Sequence, residues 1–317
     1  MAFSVVVPCC NEEQVLELLL SALATALDEL PSYEIVLVDD GSRDRTLEIM
    51  RKASADDRRV RYLALSRNFG KEAAMLAGLR AARGDAVAII DADLQHPPSL
   101  LAQMLPYLDR GYDQVVARRT RTGDPAMRAF ASRAYYRMMN RLVDVRLQDG
   151  VGDFRVLSRK AVDALLMLGE YNRFSKGLFS WIGFDTAVVD YENVAREAGR
   201  SKWRMRDLMN YGIDGVLSFN TKPLRMAIHL GLFVSAVAFG YALWVLIDAA
   251  AHGVDVPGYV TIICAVVGFG GVQMIMLGVI GEYLGRIYSE TKARPHFLLK
   301  EASPDMSTAL SSVPDRR

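Results

Sequence analysis

The sequence predicts an α/β protein: a mostly parallel sheet domain, then an amphipathic interfacial helix and two transmembrane helices. Three observations lead there. Short β-branched runs alternate with helical patterns from Ser4 to about Ala117, as βαβ units require. Two apolar stretches, 226–251 and 259–284, each exceed the roughly 20 residues that cross a bilayer. Hydrophobic residues form 51% of the 317 while 24% are charged, a balance that suits a chain meeting both lipid and water.

The runs SVVV (4–7), EIVLVDD (34–40), VRYLAL (60–65), AVAIID (86–91) and DQVVA (113–117) are apolar enough for strands covered on both faces. Residues 12–27 and 71–82 lie between them with helical spacing. Further on, 128–142 reads as a helix, 150–156 as a glycine-punctuated loop and strand, and 159–168 as another helix. Beyond Asp190 the character changes. Trp203, Leu208, Met209, Ile213, Val216 and Leu217 recur at roughly helical spacing behind Lys202, Arg204 and Arg206. That pattern fits a helix lying in a membrane interface, with an ordinary core-packing helix as the alternative.

Lys222 and Arg225 precede the first apolar stretch, Arg286, Lys292 and Arg294 follow the second, and the connection 248–258 has no Lys or Arg. Both ends are therefore expected in the cytosol. The expected organisation is a cytosolic catalytic domain over 1–195, a juxtamembrane amphipathic segment over 196–225, a transmembrane hairpin over 226–288 and a cytosolic tail over 289–317. The tail is polar and Ser/Pro-rich from Ala302 and is expected to lack fixed structure. Such a chain is a multi-pass protein of the cytoplasmic membrane. Gly281 and Gly285, in G-x-x-x-G spacing, permit close helix contact within the hairpin or between protomers of a homo-oligomer.

The bulk properties exclude several classes. A net charge of +1 gives no general attraction to nucleic acid. Cys9, Cys10 and Cys264 have neither the spacing of a zinc site nor that of a disulfide framework. The N-terminus MAFSVVVPCCNEE lacks a basic region ahead of its short apolar run, so it reads as the first strand rather than a signal peptide.

The polar clusters fall at the ends of expected strands, where open parallel sheets bind ligands. The apolar run 87–90 stops at Asp91-Ala92-Asp93, with Gln95 two residues on. Paired carboxylates there need a compensating cation, and oxygen ligands of this kind suit Mg²⁺ or Mn²⁺ bridging to a diphosphate. VVPCCNEE places Pro8, Asn11 and Glu12 after the first strand, and LVDDGSRDRT ends the second with Asp39 and Asp40. Carboxylates so placed can meet ribose hydroxyls or a base edge, whereas Ser42 and Asp44 also suit capping of a helix starting near Thr46.

In this order, V-P-x-x-N-E, D-D-G-S-x-D-x-T and D-A-D resemble the motifs of inverting family 2 glycosyltransferases, which have the GT-A fold. DADLQHPP, GVGDFRVLSR, RSKW and the C-terminal pair of membrane helices are similar to one subgroup, the polyprenyl-phosphate glycosyltransferases, with dolichol-phosphate mannose synthase and the GtrB-type glucosyl transferases. The resemblance covers about 3–292. It implies that Pro8, Asn11, Glu12, Asp39, Asp40, Asp91 and Ala92 bind the nucleotide sugar, and that Asp91, Asp93 and Gln95 hold the metal. It makes Asp153, with Asp93, catalytic. Cys10 stands where relatives often carry Tyr, and His96 reads as a loop residue before Pro97 rather than a ligand.

A polyprenyl phosphate meeting a diphosphate donor also needs cations against mutual repulsion. Arg118, Arg128, Arg133, Arg200 and Lys202 are the candidates, Arg118 and Lys202 because they match family motifs. The Q-x-x-R-W signature of processive synthases is absent from the sequence, so one sugar is expected to move once. UDP-glucose is the first expectation for the donor and GDP-mannose the second. Transfer to another lipid and a non-enzymatic membrane scaffold are the rival readings.

Overall fold

The computed structural model describes residues 2–120, 150–191, 222–252 and 258–306. Strands β1 (Phe3–Cys9), β2 (Tyr33–Asp39), β3 (Val60–Leu65), β4 (Ala86–Ile89), β5 (Gln114–Arg119), β6 (Val151–Ser158), β7 (Thr186–Tyr191) and β8 (Leu299–Ala302) form one sheet. Its order is β7-β5-β6-β4-β1-β2-β3-β8. β1 pairs in parallel with β2 and β4, β2 with β3, and β5 with β7, while β6 and β8 run antiparallel to their neighbours. The expected mostly parallel sheet is present.

Alternate residues of each strand serve opposite faces. On one face Val5, Val7, Ile35, Leu37 and Phe154 pack with Leu16, Leu19 and Leu23 of α1 (Leu16–Leu27) and Met104 of α4 (Leu100–Asp109). Between these two in chain order come α2 (Thr46–Asp56) and α3 (Lys71–Ala81). On the other face Val6, Val36, Val38, Val87 and Ile89 meet Ala74 and Ala77 of α3, Val162 and Leu165 of α5 (Arg159–Met167), and Phe179 of α6 (Ser175–Trp181). Helix α3 approaches β1 so closely that a Cβ on Gly78 would sit 2.2 Å from Cγ1 of Val6.

The expected helix at 128–142 and the juxtamembrane segment up to residue 221 lie outside the described residues. Two long helices come next, α7 (Lys222–His252) and α8 (Tyr259–Thr291). Counted over the described residues alone, no helix is long and apolar enough to cross a membrane. In α8 the unbroken run of described side chains, 268–291, contains Gln273, Glu282, Arg286 and Glu290. Large apolar side chains on both helices, among them Phe233, Phe239, Trp244, Ile275 and Leu284, are exposed.

The tail departs from its expectation. Residues 292–306 are ordered against the sheet domain, and 307–317 lie outside the described residues. β8 pairs antiparallel with the outer edge of β3, and Arg51 holds Glu301 through two hydrogen bonds of 2.7 and 2.8 Å. Arg83 donates to the carbonyl of Asp305 at 2.7 Å, and the Met306 side chain is fully buried. The physical reason is non-local: an edge strand leaves backbone donors and acceptors unpaired, and a polar segment satisfies them as well as an apolar one. The exit of α8 is also docked, because Glu290 accepts the backbone N–H groups of Tyr171 and Asn172 at 2.9 and 3.3 Å. His296 then stacks on Tyr171 at 5.8 Å between ring centroids.

Met306→Ala should therefore destabilise the sheet domain by about 2–5 kcal/mol, the usual cost of emptying a buried Met site. Thermal unfolding of the full chain in detergent measures it, and an unchanged midpoint would show that the tail only rests on the domain.

Candidate active site

Strands β1 to β3 succeed one another outward, and β4 then returns to the other side of β1. The crevice at such a reversal is where open α/β sheets bind ligands. Pro8 helps to open it. The β1–β4 ladder stops at Val6 and Ile89, with a last bond from Ile90 N–H to the Val6 carbonyl, so the missing N–H of Pro8 faces no partner strand there.

The loops after β1 and β2 are bound to each other. Asn11, at a φ of +54° that Asn tolerates, donates its N–H to Ser42 Oγ at 2.9 Å and accepts the Arg43 N–H at 2.8 Å. Glu12 N–H donates to Thr46 Oγ1 at 2.8 Å, and Asp44 accepts both the N–H and the hydroxyl of Thr46 at 3.0 and 2.6 Å. Asp44 thus satisfies the first N–H of α2 from beyond its N-cap residue Arg45, close to the capping role the sequence allowed, while Ser42 braces the neighbouring loop.

Asp39 and Asp40 are almost fully buried. Asp39 accepts the Ser42 N–H at 3.2 Å. Asp40 commits both oxygens to the backbone after β3, accepting from Phe69 and Gly70 at 2.7 and 2.9 Å. Burial, only partly offset by these bonds, raises its carboxyl above the ordinary value. Gly41, at φ +67°, lies so close beneath the same loop that a Cβ would stand 2.5 Å from the Arg67 carbonyl carbon. This clamp sets the start of α3, whose first residue is Lys71.

Lys71 is the centre of the site. Its Nζ lies 2.7 Å from Asp91 Oδ1 and 2.5 Å from Asp153 Oδ2. The two carboxylates meet because β6 runs antiparallel to β4 with Ile89 opposite Arg155. Two further residues along each chain set Asp91 against Asp153. Asp153 Oδ1 is buried and has no hydrogen-bond partner among the described residues. Burial alone would raise the Asp153 carboxyl, but the Lys71 and Lys176 ammonium groups outweigh it and hold the group at about 2. Burial likewise works to lower Lys71, and Asp153 and Asp91 reverse that and raise it.

Ala92 is buried in the core, and the Asp93 carboxylate accepts the Gln95 N–H at 3.1 Å across Leu94, which sits at φ +56°. His96 stacks on Phe154 at 5.1 Å and its Nδ1 lies 2.6 Å from the Tyr191 hydroxyl. Burial pushes the Tyr191 phenol up to about 12 and lowers the His96 imidazole. The phenol therefore keeps its proton, and its hydrogen bond with Nδ1 engages that ring nitrogen in either tautomer. Arg118 forms a two-bond pair with Asp190 of β7, at 2.6 and 2.9 Å. Arg128, Arg133, Arg200 and Lys202 lie outside the described residues.

The structure thus joins Asp91 and Asp153 through a residue that motif reading missed. A Lys at the first position of a helix opposes the helix dipole, and in FGKEAA that was the available signal. Among the described residues no group of three or more His, Cys, Asp or Glu side chains is arranged to hold a metal. A cleft of about 360 Å³ lies beside this centre, lined by Arg67, Phe69, Glu72, Arg173 and His296 among others, and none of the three aspartates borders it.

Residues 4–166 match the model of Glycosyl transferase family 2, and 222–287 match the GtrB C-terminal hairpin. CsbB of Bacillus subtilis, which carries a glycosyltransferase name, is 50% identical over 95% of this chain and 92% of its own length. Uncharacterized glycosyltransferase sll0501 of Synechocystis is 42% identical over 94% of both chains. The bactoprenol glucosyl transferase of Shigella phage SfX is 40% identical over 95% of this chain and 99% of its own.

Gly41→Ala tests the clamp. The added methyl must push the 66–70 loop and with it Lys71. We expect a stability loss of about 1–3 kcal/mol and a fall in glycosyl transfer on the order of a hundredfold. Full activity would show that the loop does not set the site.

Proposed function

Because the chain belongs to glycosyltransferase family 2 and carries the GtrB hairpin behind its sheet domain, we propose that it transfers one glucosyl unit from UDP-glucose to polyprenyl phosphate. The new bond joins a phosphate oxygen of the acceptor to the anomeric carbon as the bond to UDP breaks on the opposite face, inverting the centre. The product is a lipid-linked monosaccharide. The observation that carries this reading is the meeting of Asp91 and Asp153 on the Lys71 ammonium, at strand ends beside the reversal between β1 and β4. The name of the phage relative supports the sugar and the acceptor.

Asp91, Asp93 and Gln95 would hold Mg²⁺ or Mn²⁺. The donor set fits: two carboxylates and an amide are the oxygen ligands such a cation takes when phosphates complete its shell, and Asp91 already binds a positive charge. When bound, the cation would neutralise charge on the departing diphosphate. Asn11, Glu12 and Asp39 frame the nucleotide end of the crevice, and Asp40 acts through the loop it holds.

Asp153 is not needed as a base. A phosphate monoester loses its second proton near pH 6, so the acceptor arrives largely deprotonated. A carboxyl held at about 2 is ionised throughout that range and has little proton affinity. Its charge instead favours the positive charge developing on the sugar. Arg118, Arg128, Arg133, Arg200 and Lys202 would offset the acceptor phosphate, which at Arg118 must compete with Asp190.

The hairpin would cross the membrane, leaving the sheet domain in the cytosol. Helices of 31 and 33 residues rise about 46 and 50 Å at ~1.5 Å per residue, ample for a hydrocarbon core of about 30 Å. Their exposed Phe, Trp, Ile and Leu side chains support lipid as the surrounding medium.

Membranes containing the chain and undecaprenyl phosphate should pass label from UDP-glucose to the lipid fraction, stop on addition of EDTA, and resume with Mg²⁺ or Mn²⁺. Label taken from GDP-mannose instead would replace the sugar, and transfer surviving EDTA would remove the metal. A pH profile tests Asp153 separately. The folded carboxyl lies below the ordinary value near 4, so it does not titrate between pH 5 and 8. Asp153→Asn should lower the rate at every pH, on the order of a hundredfold, and leave an acidic limb near pH ~6 unmoved. Loss of that limb would make Asp153 the base.

A further inference from the structure

Lys71 already sits on Asp91, the carboxylate read above as a ligand of the divalent cation. Its ammonium is shared by Asp91 Oδ1 at 2.7 Å and Asp153 Oδ2 at 2.5 Å, and it is carried there by the loop that Asp40 clamps. We propose that Lys71 is the site's own counter-ion before donor binds and couples metal binding to donor binding, yielding Asp91 only when a nucleotide diphosphate arrives with the cation. This rests on the reading of Asp91, Asp93 and Gln95 as the metal's ligands.

An ammonium and a divalent cation on one carboxylate repel each other strongly at such distances. A metal arriving alone must therefore displace Lys71 from Asp91 and offers it nothing in return. A metal arriving with a diphosphate brings anionic oxygens within reach of a flexible four-carbon stem, whose three donors can turn to them. The favourable exchange exists only in the ternary state, which is a coupling free energy between two ligands and acts equally on both.

Asp153 gives the arrangement a second consequence. One of its oxygens is held by Lys71 and the other is buried without a hydrogen bond among the described residues. As the ammonium turns toward the donor, Asp153 gives up one of its two ammonium neighbours, Lys176 remaining to keep it ionised, at the moment a sugar carbon that develops positive charge is placed beside it. Lys71 is thus a coupling residue that delays the exposure of catalytic charge until the donor is bound.

The test is Mn²⁺ binding to the full chain in detergent, read by the electron paramagnetic resonance of free Mn²⁺, with and without UDP-glucose. Lys71→Met, which keeps much of the stem and removes the charge, should bind Mn²⁺ alone about tenfold more tightly than the wild type. It should also lose a similar factor of the mutual enhancement between Mn²⁺ and UDP-glucose. Mn²⁺ alone should raise the melting temperature of this variant more than that of the wild type, since the metal supplies Asp91 with the positive charge that Lys71 no longer gives it. Lys71→Arg, which retains a cation, should keep the weak metal-only binding, and it decides the matter if Lys71→Met does not fold: tight Mn²⁺ binding without donor in Lys71→Arg would overturn the proposal. Equal Mn²⁺ affinity in Lys71→Met and wild type would overturn it as well. A wild type that binds no Mn²⁺ even with UDP-glucose would instead overturn the metal reading beneath it.

Discussion

The ammonium of Lys71 between Asp91 and Asp153 is the interaction on which the rest of the site depends. Two carboxylates from antiparallel neighbours cannot stay close in a partly buried crevice without a positive charge between them. The fold positions that charge from several sides. Asp40 ties down Phe69 and Gly70, Gly41 admits the loop at close range, and Glu72, next along α3, accepts the N–H and hydroxyl of Ser175. The first turn of α3 is therefore held from two sides while its Lys side chain reaches across to Asp91 and Asp153.

Much of the polar chemistry in the two N-terminal motifs is structural. Within LVDDGSRDRT, Asp40, Ser42, Asp44 and Thr46 all make bonds to backbone or to one another. Their common effect is to lock the loops after β1, β2 and β3 into one rim. A rim of this kind is preorganised: its groups have an orientation settled by folding, so a ligand bound there would not have to order them. Asp39, Glu12 and Asn11 gain their positions from the same network.

The hairpin is bound to the domain through the end of α8 and the segment beyond it. Glu290 caps the backbone at Tyr171 and Asn172, His296 stacks on Tyr171, and β8 then completes the sheet beside β3. The chain thus leaves the catalytic domain, forms two long apolar helices and returns to the same sheet. The end of α8 is thereby tied to the sheet domain through a continuous set of contacts. That connection also protects the edge of β3, which would otherwise offer a template for pairing with another chain.

The sequence by itself determined the strands β1 to β6, the acidic groups at their ends and the presence of a long apolar hairpin. These features are local. Alternating or continuous apolar runs specify a buried strand, and strand ends in parallel sheets share one edge, so Asp39 and Asp91 could be assigned to one crevice without coordinates. Tertiary structure decided the partner of Asp91, because Asp153 reaches it only through the antiparallel register of β4 and β6. It also decided that Lys71 lies between them, that Arg118 pairs with Asp190, and that the polar tail forms β8. The contact between Lys71 and Asp153 spans 82 residues, and β8 pairs with β3, a strand from the first part of the chain. Composition records what a segment prefers alone, whereas these contacts exist because one strand edge and one buried charge each needed a partner that only the assembled sheet could bring within reach.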